Sequence, residues 1–186
     1  MDISVINFSS RENGNCKAVS SFIAEHYAEK YQTNVLIHSV DGSVFDPCGN
    51  CDYECLKPGL ECPRLKETQK QLMDTLCCSD QIYFVVPNYC GYPCGNYFAF
   101  NERSVGYFGM DRSKKANYLA IPKKFILISN SQNNNFLNAM RQQTACEPEM
   151  LYLMTSKYQK RSIAGDILTA KEARADLRAF LETEAR

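Results

Sequence analysis

The stretch Gln81-Ile82-Tyr83-Phe84-Val85-Val86, halted by Pro87, decides the fold. It is an apolar run without alternation, the pattern of a central strand covered on both faces. Working outward, Ile3–Phe8 and Asn34–Val40 read as strands before it, and Lys124–Ser129 and Glu149–Met154 as strands after it. Helical stripes lie between them. Ala18, Val19, Phe22, Ile23, His26 and Tyr27 recur at 3.6 spacing, as do Leu65, Gln69, Leu72, Met73 and Leu76. Thr169-Ala170-Lys171-Glu172 has the form of a capping box, opening a last helix that buries Ala173, Leu177, Phe180 and Leu181. Five strands alternating with helices predict an α/β three-layer fold, a parallel sheet with helices on both faces. Ser104–Pro122 is the least regular stretch and reads as a partly ordered insertion or an interface segment. Asn130–Asn135 reads as a polar loop.

The chain has 186 residues, which suits a single domain over 1–186 at about 150 residues per domain. Apolar residues at 45% and charged residues at 23% exclude disorder. No apolar run approaches the roughly 18 residues of a membrane span. The acidic start Met1-Asp2-Ile3-Ser4 lacks the basic opening of a signal peptide, so a cytoplasmic location is expected. Twenty-one basic side chains balance 21 acidic ones, so no overall field exists to hold nucleic acid or an anionic membrane. Ten cysteines in a cytosolic chain point to metal or redox chemistry rather than a disulfide framework. With two histidines, His26 and His38, a His-rich catalytic metal centre is not expected.

In such a sheet, ligands bind beyond the carboxyl ends of the strands, where the strand order reverses. Four loops lie there: Ser9–Asn15, Asp46–Pro63, Pro87–Gly95 and Ser129–Asn135. The first, Ser9-Ser10-Arg11-Glu12-Asn13-Gly14-Asn15-Cys16, offers hydroxyls, a guanidinium and amides at a helix start. That chemistry suits a phosphate dianion, or else a polar turn in which Asn13 or Asn15 caps the helix. It is neither a G-x-G-x-x-G fingerprint nor a Walker A loop. The third loop, Pro87-Asn88-Tyr89-Cys90-Gly91-Tyr92-Pro93-Cys94-Gly95, offers a flat ring an aromatic wall and close backbone approach, or forms a rigid Pro/Gly turn. In the second loop, Cys48, Cys51, Cys55 and Cys62 fall at C-x2-C-x3-C-x6-C, enough for an iron–sulfur cluster or tetrahedral zinc, or simply packed thiols. Elsewhere, Cys77, Cys78 and Cys146 read as buried, and His26 as a satisfied core histidine. Arg103, Arg112, Lys114, Lys115, Lys123 and Lys124 outweigh Glu102 and Asp111 and read as a solvated basic surface, with attraction of a 2′-phosphate as the other reading.

The first strand, the loop Ser9–Cys16 and the amphipathic helix after it resemble the opening of the flavodoxin-like NADPH-dependent FMN reductases and their relatives, the iron–sulfur flavoproteins. The family loop reads G-S-P-R-x-x-x-N-T. Ser9, Arg11 and Asn15 match it, while Phe8, Ser10 and Cys16 replace glycine, proline and threonine. Pro87, Tyr89 and Gly91 fall on the family's P-x-Y-x-G segment. The resemblance implies a flavodoxin-like sheet of five parallel strands in the order 2-1-3-4-5, with a Cys-rich insertion at 46–63. It implies FMN held by Ser9, Ser10, Arg11, Asn13, Gly14, Asn15 and Cys16 at its phosphate, and by Pro87, Asn88, Tyr89, Cys90, Gly91 and Tyr92 around its ring. Cys90 and Cys94 would lie near that ring. Implied too are NAD(P)H as co-substrate, a small-molecule or protein electron donor and acceptor, no side-chain acid or base, and a homodimer or homotetramer with flavin sites between subunits. Iron–sulfur relatives carry their cluster in this insertion, with x2 where this chain has x3. Cys48, Cys51, Cys55 and Cys62 are therefore candidate ligands of a 4Fe-4S cluster, against cluster-free thiols or zinc. The alternatives to an oxidoreductase are a non-catalytic electron carrier and a zinc-stabilised module with a degenerate flavin site.

Overall fold

The computed structural model describes residues 1–40, 45–130 and 135–183. Ser131, Gln132 and Asn133 of the fourth expected loop lie outside the described residues. Five strands form the parallel sheet: β1 (Ile3–Asn7), β2 (Val35–Ser39), β3 (Gln81–Tyr89), β5 (Lys123–Ser129) and β6 (Glu149–Met154). Their order is β2-β1-β3-β5-β6, with a two-residue strand β4 (Tyr92–Pro93) antiparallel to the end of β3. The expected 2-1-3-4-5 path therefore gains a sixth short strand. β3 does not stop at Pro87, as the sequence predicts. It runs two residues further, because Pro87 still pairs in register with Ile128 and the chain then folds back as a hairpin.

Residues 81–87 of β3 are all buried, as a strand covered on both faces requires. Alternation sorts the side chains between two cores. Ile82, Phe84 and Val86 face one layer with Phe125 and Leu127. Against them pack α2 (Glu67–Cys77), α3 (Gly95–Phe108), α4 (Arg112–Ala120) and α5 (Asn135–Met140). Tyr83, Val85, Ile126 and Ile128 face the other layer, formed by α1 (Asn15–Tyr31) and α6 (Lys171–Glu182). Each fully buried Leu, Ile or Phe contributes about 1.5–3 kcal/mol, so both layers are firmly held. No helix among the described residues is long and apolar enough to cross a membrane.

Three expectations are corrected here. Ser104–Pro122 is not an irregular insertion: it holds the end of α3 and all of α4, whose N-cap is Asp111 accepting from the Lys114 N–H at 2.8 Å. The capping box of α6 does not form. Ala170 is the N-cap and has no side-chain bond, while the Thr169 hydroxyl donates instead to the Asp166 carbonyl. The basic stretch is a solvated surface only in part: Arg112 and Lys115 are exposed and Lys114 is half-buried, but Arg103, Lys123 and Lys124 are buried. Lys123 and Lys124 are consecutive on β5 and so point to opposite layers. Lys123 Nζ donates to the Tyr118 and Ile121 carbonyls at the end of α4. Lys124 Nζ donates to the Phe180 and Thr183 carbonyls at the end of α6. Each Nζ thus donates to the free carbonyls at a helix C-terminus.

Candidate functional site

The sheet order reverses between β1 and β3, and a cavity of about 250 Å³ lies at their carboxyl ends. Three loops wall it, and Ile128 and Asn130, at the end of β5 and the start of the fourth expected loop, line it between them. The first leaves β1 through stacked tight turns: Asn7 Oδ1 accepts from the Ser9 N–H at 3.0 Å, and Ser9 Oγ from the Arg11 N–H at 3.2 Å. Those bonds turn the chain into α1 at Gly14, an N-cap that has no side chain to satisfy the first helical N–H groups. Ser9, Arg11, Gly14, Asn15 and Cys16 line the cavity from this side, with Arg11 exposed and Cys16 buried. Burial, with Cys94 nearby, pushes the Cys16 thiol far above its ordinary value. Cys16 therefore brings no negative charge to the cavity.

The second wall is the hairpin at the end of β3. Asn88 pairs with Pro93 and Tyr89 with Tyr92. Between them Cys90 and Gly91 both have positive φ, 52° and 87°, the pattern of a two-residue type I′ turn. Asn88 fixes the turn: its Oδ1 accepts from the Gly91 N–H at 2.9 Å and its Nδ2 donates to Ser129 Oγ at 2.6 Å. Pro87, Asn88, Tyr89 and Cys90 line the cavity, and Tyr89 is 49% exposed. Gly91 and Tyr92 support the hairpin from outside it. Cys94 is buried, donates through its sulfur to the Phe8 carbonyl at 3.3 Å, and is held as a neutral thiol by burial.

The third wall, Ser162 and Ile163 after β6, is absent from the four loops read in the sequence. It is joined to the first by Asn15, which is 2% exposed. The Asn15 amide donates to the Arg161 and Ser162 carbonyls at 3.3 and 3.1 Å, and its oxygen accepts from the Ile167 N–H at 2.9 Å. Asn15 is thus a clamp between loops, its amide already engaged. Gly165, at φ +70°, presses so close that an added Cβ would lie 2.1 Å from the Asn13 carbonyl oxygen. Two more expected residues sit elsewhere: Asn13 meets Gly165 through its backbone, and Ser10 Oγ accepts from Asn96 Nδ2 at 3.0 Å. Asn96, unforeseen in the sequence, also donates to the Phe8 and Val40 carbonyls at 3.1 and 3.0 Å and so ties the ends of β1 and β2 to α3. The strand–loop rule that picked the other loops also points to the segment after Met154.

The Cys-rich segment packs on α3, away from the cavity. Arg103, 1% exposed, donates to the Asp46 and Pro47 carbonyls at 2.7 and 2.6 Å and reaches Cys62 Sγ at 3.5 Å. Gly106 lets Cys62 approach α3; a Cβ there would lie 3.1 Å from the sulfur. Burial first, then the neighbouring Cys62, Cys51 and Cys48, pushes the Cys55 thiol up. The four sulfurs share a neighbourhood, yet no group of three or more His, Cys, Asp or Glu among the described residues is placed to hold a metal ion. Among the described residues the four thiols, Cys48, Cys51, Cys55 and Cys62, are thus not assembled as a 4Fe-4S or zinc site, and Cys62 accepts from the Arg103 guanidinium. The remaining thiols are also less buried than expected: Cys78, Cys90 and Cys146 are exposed and Cys77 is half-buried. His26 is buried, but its Nε2 has no hydrogen-bond partner among the described residues.

No family model and no curated protein matches this sequence. Solved structures do match. A flavone reductase aligns at a TM-score of 0.58 and 14% identity, covering 97% of this chain, which spans 59% of that longer chain. The Trp repressor binding protein from Bacillus subtilis aligns at 0.63 and 12% identity, covering 98% of this chain and 99% of that one. The apo form of an NADH:FMN oxidoreductase aligns at 0.60 and 11% identity, covering 97% and 88%. At these identities the likeness concerns the backbone, and with the strand order it shows that the chain has the flavodoxin-like fold of these proteins.

Proposed function

We propose that the chain is an FMN-binding, NAD(P)H-dependent oxidoreductase of the flavin or quinone reductase type. The observation that carries this reading is the convergence, at the β1/β3 switch point, of an uncapped helix N-terminus beside Arg11 with a tyrosine-bearing hairpin. The residues fit the group. The N–H groups opening α1, the Ser9 hydroxyl and the Arg11 guanidinium suit a phosphate dianion, and the neutral Cys16 does not repel it. Tyr89 offers an aromatic wall, and the Cys90–Gly91 turn brings backbone close to a ring. Ser162 and Ile163 line the same cavity from the other side, with Ile163 itself exposed. FMN, when bound, supplies hydride and electron transfer, so this chain's part is to hold and orient it. Support comes also from neighbours named as an NADH:FMN oxidoreductase and a NAD(P)H:(acceptor) oxidoreductase. The exposed Tyr89 and Tyr92 are suited to cover by a second subunit, in line with a homodimer or homotetramer. An iron–sulfur cluster is not part of this reading, given the arrangement of the cysteines.

The test is flavin titration of the purified protein, followed by NADH or NADPH oxidation with a quinone as acceptor. FMN binding in preference to FAD, with turnover dependent on FMN, is expected. Recovery of FAD, or no flavin binding, overturns the proposal.

A further inference from the structure

A second cavity of about 330 Å³ lies between the Cys-rich segment, the first turn of α2 and the α3–α4 corner. Gly109 makes that corner: its φ is +50°, and a Cβ there would lie 3.0 Å from the Cys55 carbonyl oxygen. The lining is mixed: Leu60, Leu65, Phe108 and Met110 give its apolar part, and two of these are half exposed, Leu60 at 51% and Met110 at 50%. Lys57, Lys70 and Lys114 also line it. None of the three belongs to an ion pair among the described residues. Two carboxylates line it as well, Glu61 and Asp111, the latter also capping α4, so the lining carries three cations against two anions. Lys114 is held in place, its ammonium 3.7 Å from the centre of the Tyr107 ring, while the Tyr107 hydroxyl donates to Asp74.

We propose that this cavity binds an amphipathic organic anion, with an aromatic or aliphatic body and one terminal carboxylate or sulfonate. The volume falls at the small end of the range for ligand pockets, about 300–1,000 Å³. The apolar body would cover Leu60 and Met110, which otherwise stay in water. The anionic end would pair with the lysine that the two lining carboxylates leave in excess. This site shares no lining residue with the FMN cavity, so it stands whether or not FMN binds.

The probe is 8-anilinonaphthalene-1-sulfonate, an aromatic sulfonate, titrated by fluorescence with and without FMN, with decanoate as competitor. Saturable binding at one site per chain, displaced by decanoate and not by FMN, is expected. Lys57→Glu with Lys70→Glu changes two exposed residues and should weaken binding at least tenfold at an unchanged melting temperature. Lys115→Glu, exposed and outside the cavity, should leave it unchanged. Should the double variant melt early, Met110→Glu tests the apolar wall in its place with the same expected loss. Absence of saturable binding, displacement by FMN, or full affinity in the cavity variants overturns the proposal.

Discussion

Gly165→Ala is the sharpest probe of the clamp between the segment after β6 and the loop after β1. Two costs meet at this position. An L side chain at φ +70° costs about 1–2 kcal/mol in backbone conformation. The new Cβ would also sit 2.1 Å from a backbone oxygen, a distance at which the backbone itself must shift. Overpacking of that kind costs about 1–3 kcal/mol. Together they predict a loss of roughly 2–5 kcal/mol, or a fall of about 4–20 °C in melting temperature for a chain of this size. Gly59→Ala is the control, since φ is +75° there and nothing lies within 4 Å. It should lose only the conformational part, about 1–2 kcal/mol, or about 2–8 °C. Gly165→Asn separates the costs further, because asparagine tolerates the left-handed region but keeps the Cβ. It should remain worse than Gly59→Ala. If strain is released by lifting residues 161–167, FMN affinity falls as well, tenfold for each 1.4 kcal/mol. Thermal melts and flavin titrations on the three variants read both effects. If Gly165→Ala is no worse than Gly59→Ala in either assay, the clamp does not exist as described.

Arg11→Ala, at an exposed position, should leave melting unchanged and weaken FMN binding by about 1.5–3 kcal/mol, or about ten- to over a hundredfold, as read by titration. Asn15→Ala differs in kind: it leaves the Ile167 N–H and two carbonyls without their partner, so about 1–3 kcal/mol of stability and about 2–12 °C should be lost even without flavin, which a melt detects. Arg103→Met strips the Asp46 and Pro47 carbonyls of their donor and should release the 46–63 segment, seen as faster limited proteolysis there. Burial lowers Lys123 from 10.5 to about 7. The unfolded chain then holds a proton that the folded chain lacks between those values, so stability rises with pH across that window and this contribution is flat below it. Raised buried thiols oppose this in both proteins, so the reading is the difference: between pH 7 and 9.5 the wild type should gain stability relative to Lys123→Met, as melts at pH 7, 8.5 and 9.5 would show.

Periodicity was enough for the layers, because buried strands and helical stripes declare themselves locally. Gln81–Val86 and Glu149–Met154 lie where their patterns put them. What stayed hidden depends on partners distant in sequence. Asn15 has the composition of a phosphate ligand, and only the approach of Arg161–Ile167 turns it into a clamp. Arg103, Lys123 and Lys124 look like surface charge until carbonyls at helix ends and in the Cys-rich segment surround them. The hairpin was concealed by Pro87, a residue that ends most strands but is tolerated here near the end of β3. Four cysteines within fifteen positions advertise a metal through spacing alone, while coordination depends on where the sulfurs point.

The Lys123-Lys124 pair has a consequence for how this protein can change. One dipeptide on one strand keys the last turn of a helix in each outer layer, at the end of the sheet remote from the cavity. Sliding either layer along the sheet would strip its lysine of acceptors inside the protein, so both layers are indexed to the same rung. At the opposite end the ties run to loops: Asn96 joins α3 to the ends of β1 and β2, and Asn15 joins α1 to residues 161–167. Loops there, the 46–63 segment among them, can change length without moving the helix ends that Lys123 and Lys124 hold. The molecule behaves like a vice with a fixed jaw and interchangeable grips: variation in what it binds is confined by construction to the end where binding occurs.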